Sequence, residues 1–244
     1  MEIDKKKIFH IIHSAVSGEP FFRYSNSAYR MLSAPAKPAF SFMGKKSDSG
    51  KRKISKRFFV RKQRTCNSPQ RSKPSVIQYL DNNDESEIEI YIGPDRPCKG
   101  VSTYATIGLS DFSIGLKTAG NKELRVEFIG ACASNYEMFA NIISTCAFNI
   151  INSKFSCKPG TVYSNVVKMY YQDLDMKHIF FTDPFLWDNL HSLEMDDLYV
   201  AWLMAVPISD NEFNFLKQNG SEALEKLFEE KDIDAYDLNR RSIL

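Results

Sequence analysis

Tyr199-Val-Ala-Trp-Leu-Met-Ala-Val-Pro207 is an uncharged, nearly continuous apolar run. A strand with one wet face would alternate apolar and polar residues. A stretch that crosses a bilayer would need roughly 20 apolar residues in a row. Nine residues, rich in Val and aromatics and ended by Pro, suit a central strand buried on both faces. Such a strand needs a packed layer on each side. The expectation is therefore an α+β fold, a mixed central β-sheet flanked by helices.

Just beyond the run, Ser209-Asp-Asn-Glu212 is a helix start, with Ser209 as cap and Glu212 three residues on, able to reach back. Asn219-Gly220 interrupts that helix, and Ser221 to Lys231 begins a second, amphipathic one. Upstream, His178-Ile-Phe-Phe and Val162-Tyr-Ser-Asn-Val-Val read as strands. Tyr136 to Asn152 repeats Met138, Phe139, Ile142, Ile143, Cys146, Ile150 and Ile151 on one helical face. Leu124-Arg-Val-Glu-Phe-Ile-Gly130 alternates strictly, as a half-buried strand does, and Val101 to Leu109 is β-branched and aromatic. Val76 to Leu80 and Ile88 to Gly93 form a hairpin pattern across the polar turn Asp81-Asn-Asn-Asp-Glu85. Gly93 to Gly100 is dense in turn residues. At the other end of the chain, Ile8, Ile11, Ile12 and Ala15 share one face of a helix over residues 5 to 15, stopped by Ser17-Gly-Glu-Pro20.

Between these parts lies a stretch of different character. Lys45 to Lys73 carries twelve Lys or Arg against the one acid Asp48, while residues 74 to 244 carry fourteen basic and twenty-six acidic residues. Residues 21 to 73 show no sustained period and read as a basic, poorly ordered insertion. The organisation is thus a helix over 1–20 that belongs to the core domain, the insertion over 21–73, and one domain over 74–244. With 244 residues and 43% hydrophobic content, one sizeable core is the natural size.

Common chemistries find little support. Five cysteines with no Cys-x-x-Cys pair suggest reduced thiols and no zinc site. Thr106-Ile-Gly108-Leu-Ser110-Asp-Phe112 departs from a nucleophile elbow because Phe112 stands where the second Gly belongs, and a strand-end turn explains Ser110 as well. His10 and His13 have no third ligand nearby, and His178 and His191 flank a stretch of aromatics. No phosphate-binding loop or dinucleotide fingerprint occurs, so neither metal nor cofactor is expected and the chain reads as a binding protein, not an enzyme. The opening Met-Glu-Ile-Asp-Lys-Lys-Lys lacks a signal peptide's apolar region, from which a cytoplasmic address without membrane contact is expected.

Several blocks together resemble the suppressor-of-fused domain family, in particular its small bacterial members that serve as immunity proteins in contact-dependent and LXG-type toxin systems. These are Ile88-Glu-Ile-Tyr-Ile, Pro97 to Ser110 with its Thr-x-Gly-Leu-Ser ending, Arg125-Val-Glu-Phe, Pro159-Gly160 and Met176-Lys-His-Ile-Phe-Phe. They continue through Pro184-Phe-Leu-Trp, Trp202 to Glu212, Gly220-Ser-Glu-Ala-Leu224 and Asp237 to Ser242. The resemblance spans residues 1–20 and 74–244, and 21–73 interrupts it. It implies a single α+β domain that neutralises a cognate toxin domain by binding it.

An acidic surface suits a nuclease toxin, which must itself attract a polyanion and tends to be basic. One candidate group of contacts is Asp173, Asp175, Asp183, Asp188, Glu194, Asp196 and Asp197; a second is Glu229, Glu230, Asp232, Asp234 and Asp237. Each is equally a charge run on a solvated face. Phe185, Trp187 and Tyr199 sit near the first group, as interface anchors or as core. Lys45 to Lys73, with Phe58 and Phe59, has the ingredients of a nucleic-acid contact, of a segment that orders on a partner, or of a solvated arm.

Overall fold

The computed structural model of the chain describes residues 3–17, the backbone of 31–33, and 73–244. The stretch 21–73, expected to be poorly ordered, lies outside these residues apart from the backbone of 31–33 and Lys73. The elements are α1 (Lys5–Ser17), β1 (Met31–Ser33), β2 (Ser75–Leu80), β3 (Glu87–Gly93), β4 (Val101–Ile107), β5 (Leu116–Lys117) and β6 (Glu123–Ala133). There follow α2 (Phe139–Ile151), β7 (Val162–Tyr163), β8 (Met176–Thr182), β9 (Leu193–Glu194), β10 (Leu198–Ser209), α3 (Asp210–Asn219) and α4 (Ser221–Glu230). A single 3-10 turn, Leu109–Asp111, follows β4.

The strands make one mixed sheet in the order β1-β2-β3-β4-β6-β10-β8-β7, with β5 added to β6 and β9 to β10. β10 lies at its centre, parallel to β6 and antiparallel to β8, as its apolar run requires. Its even-numbered residues from Leu198 to Ile208 enter one core, while Leu203 and Ala205 enter the other. α2 covers the second of these faces. It is buried nearly all round because the segment 163–174 packs over its outer side, Thr145 meeting the Tyr170 hydroxyl at 2.6 Å. Gly130 of β6 sits beneath α2, where a Cβ would stand 3.1 Å from the Phe139 ring. Its lack of a side chain sets how closely helix and sheet approach.

α1, α4, the loop 183–197 and the C-terminal tail cover the other face. α1 buries Ile8, Phe9, Ile12, His13 and Val16, leaving Ile11 and Ala15 half-buried. The apolar face is thus turned toward Phe9 relative to the expected stripe, because Phe9 packs on Tyr91 and His13. With Ile3 this is about 10 kcal/mol of gross apolar burial, against roughly 3 to 4 kcal/mol for closing the long chain between α1 and β2. α1 packs against the sheet despite its distance in sequence.

Two expected strands differ in the structure. β6 alternates in sequence as if half-solvated, yet Val126 to Cys132 are all buried because both sheet faces are covered. Only Val162–Tyr163 of the expected strand from Val162 pairs with β8. Beyond it Asn165 adopts a φ of 61° and donates its N–H to His178 Nδ1, which turns the chain off the ladder.

Candidate partner-binding surface

The acidic residues group by sheet end, not by position in sequence. β8 pairs Met176 with Ser209 and Thr182 with Met204, so it runs against β10. Asp173 and Asp175 enter β8 where β10 ends, and Asp183 leaves it roughly 20 Å away. The first candidate group is therefore divided, and Asp173 and Asp175 do not join the other five.

Those five lie on the loop 183–197, and all are exposed. The loop is well anchored. Trp187 and Leu193 are buried beneath it, the Trp202 indole N–H donates to His191 O at 3.1 Å, and Glu123 N–H donates to Asp197 O at 2.8 Å. Lys122 Nζ reaches both Glu194 Oε1 at 2.8 Å and Met195 O at 2.7 Å. Trp187 is thus core, whereas Phe185 and Tyr199 are half-buried.

At the opposite end, where β6 and β10 finish, more of the carboxylates are engaged internally. Glu229, Glu230, Asp232 and Asp234 are exposed and Asp237 is half-buried. Asp237 accepts from Asn239 N–H at 2.8 Å and from the Tyr136 hydroxyl at 3.4 Å, while Asp234 accepts from Tyr236 N–H. Glu230 faces Lys226 at 3.6 Å. Asp210, absent from the candidates, bonds Lys177 and His178, and those two hydrogen bonds hold its carboxyl below the usual range.

His13, His178 and Ser110 make buried structural contacts. His13 is buried with Nδ1 3.3 Å from the Tyr91 hydroxyl. His178 is engaged at both ring nitrogens, by Asn165 N–H and Asp210, and burial pushes its pKa down. Ser110 is fully buried and donates its hydroxyl to Glu127. No group of three or more His, Cys, Asp or Glu among the described residues could hold a metal.

Two buried networks go beyond what the sequence showed. Glu127 on β6 accepts from Gly108 N–H, Ser110 N–H and the Ser110 hydroxyl on Oε1, and from the Thr106 hydroxyl on Oε2. Arg125 donates to Ser110 O, so the separated blocks Thr-x-Gly-Leu-Ser and Arg-x-Glu form one unit. Glu212 completes the capping box with Ser209 and also takes a bidentate pair from Arg240, which reaches Pro207 O as well. This fastens the C-terminal tail to the end of β10. The sequence announced the Ser209–Glu212 capping box but not its Arg240 partner, and for the Glu127 network it offered a single Glu within an apolar strand.

The family model described as suppressor of fused protein (SUFU) matches residues 84–241. The chain belongs to the suppressor-of-fused family. Within it, the chain is 46% identical over 173 residues to the immunity protein YqcF of Bacillus subtilis, covering 70% of this chain and 90% of that one. The suppressor-of-fused fold is shared with a homologue from Neisseria gonorrhoeae, with a TM-score of 0.53 and 18% identity over 70% of this chain and 88% of that one. Drosophila Suppressor of Fused is more remote, with a TM-score of 0.45 and 11% identity over 64% of this chain and 42% of that one. No helix among the described residues is long and apolar enough to cross a membrane.

Proposed function

We propose that this suppressor-of-fused protein is an immunity protein that binds and neutralises a cognate toxin domain in the cytoplasm of the producing cell. The similarity to an immunity protein over 90% of that relative's length carries the proposal. We infer further that the toxin is a nuclease of an LXG-type system, held through carboxylates among the twelve candidates.

The loop 183–197 is favoured over the opposite end. Of its five carboxylates Glu194 is bonded to Lys122, whereas Asp234, Asp237 and Glu230 have bonds within the chain. Carboxylates left to solvent steer a basic partner and compete with its polyanionic substrate. The anchored backbone limits the ordering cost of binding. The role is one of binding, needing neither metal nor cofactor.

The test is co-expression of the chain with a toxin gene neighbouring its own, followed by co-purification. Restored growth with a stoichiometric complex supports the proposal; unrestored growth with no complex refutes it. A second reading, a nucleic-acid-associated regulator, rests on the twelve basic residues of Lys45 to Lys73. Salt-dependent retention on DNA that vanishes when this segment is deleted would favour it.

A further inference from the structure

The β4–β6 ladder has its last pair at Ala105 and Ile129. There the chain swings through Gly108, at a left-handed φ of 96°, into the turn Leu109–Asp111. Glu127 fills the resulting gap. It is 0% exposed, and its four donors are two backbone N–H groups and two hydroxyls, all neutral. We propose that Glu127 is a proton-controlled latch: charging it as the pH rises loosens the turn 108–111 and, through Asp111, the seat of the residues that lead into α1.

The geometry offers the neutral carboxyl a complete set of partners. Thr106 Oγ1 accepts from Phe128 N–H at 2.8 Å, stands 2.5 Å from Glu127 Oε2 and has Phe128 O at 3.5 Å. A proton on Oε2 is donated to Thr106 Oγ1, whose own hydrogen then turns to Phe128 O. The other three donors stay on Oε1. The ionised carboxylate keeps all four neutral donors but gains no cation.

The charged groups around it are committed elsewhere. From α1, Lys5 lies over Gly108 and pairs with Glu89 of β3 at 3.7 Å. On the turn, Asp111 accepts Ile3 N–H at 3.0 Å. On β6 itself, Arg125 is held by Ser110 O and Glu123. From β10 the register partner is Trp202, which carries no charge. Burial accordingly raises the Glu127 carboxyl to about 7 despite its four hydrogen bonds.

The direction follows by linkage. The closed turn binds a proton that an open, solvated Glu127 would release, so closure is firmest on the acid side and weakens as pH rises through about 7. Between the ordinary carboxylate range and that value the opening constant grows on the order of 100-fold.

The experiment is amide hydrogen exchange of the full chain from pH 5.5 to 8, with the rates at Gly108 and Ser110 normalised to the intrinsic exchange rate of an unprotected amide at each pH, in wild type and in Glu127→Gln. Gln keeps the shape of the protonated form, its amide donating to Thr106. In wild type the normalised exchange at 108 and 110 should accelerate at least tenfold, and in Glu127→Gln it should stay flat. Equal pH dependence in the two proteins overturns the proposal. Carbon NMR of the Glu127 carboxyl in wild type supplies a readout that needs no variant. A midpoint near 7 supports the latch, and one in the ordinary carboxylate range overturns it.

Discussion

Ser110 meets Glu127 twice, its backbone N–H at 3.1 Å and its hydroxyl at 2.6 Å from the same carboxylate oxygen. A serine resembling a nucleophile in sequence is, in the fold, a strut under a buried carboxylate. Ser110→Ala removes one of the four donors while keeping the backbone bond. It should cost about 1 kcal/mol in urea unfolding and raise the Glu127 carboxyl further, since the charged form loses a partner. Glu127→Ala, which strands all four donors in a dry site, should cost about 3 kcal/mol or more.

Arg240→Ala leaves Glu212 buried and uncompensated beneath the capping box. Its expected cost is about 3 to 5 kcal/mol in chemical unfolding. Arg240→Lys should recover part of that and lose the bidentate fork. An unchanged midpoint for the alanine variant would mean that the tail does not fasten β10.

His178 and Glu127 pull stability in opposite directions with pH. Burial lowers the His178 pKa, so its contribution is present above the ordinary histidine value and is lost as pH falls below about 6.5. Glu127, whose value is raised, contributes most at low pH and loses its contribution as pH rises to about 7. Their slopes oppose each other between about pH 5 and 6.5. Thermal unfolding of His178→Gln should show stability in this window rising as pH falls more steeply than in wild type; parallel curves would exclude the histidine as a contributor.

Ile12 of α1 is fully buried against the sheet. Ile12→Ala should destabilise the whole domain by about 3 kcal/mol in one cooperative transition. A separate early transition limited to α1 would show the helix to be a dispensable attachment.

Paired reversals Asp196→Lys with Asp197→Lys should slow association with the toxin and reduce its salt dependence, leaving thermal stability nearly unchanged. Glu229→Lys with Glu230→Lys should have a smaller effect on association. The reverse ranking, read by stopped flow at low salt, would move the binding surface to the other sheet end.

The run 199–207 disclosed β10, and Ser209 with Glu212 disclosed the start of α3, because each is decided by residues adjacent in the chain. The partners of Glu127 were hidden because two of its four bonds come from backbone N–H groups, which no residue type announces. The acidic group from Asp173 to Asp197 looked continuous because sequence spacing does not show that β8 carries the chain across the sheet between Asp175 and Asp183. The double burial of β6 was masked by Arg125 and Glu127, whose polar identities imitate a wet face while both are tied to the 108–111 turn.

The parallel contact of β6 with β10 joins Glu123 to Leu198 and Ile129 to Met204 at the centre of the sheet. A nascent chain that has reached only α2 has its hairpin strands and the helices α1 and α2, but β6 still presents a bare hydrogen-bonding edge and about half of the core on the α1 side is missing. The centre of the sheet therefore closes late in translation, once residues 198 to 209 are free to pair with β6.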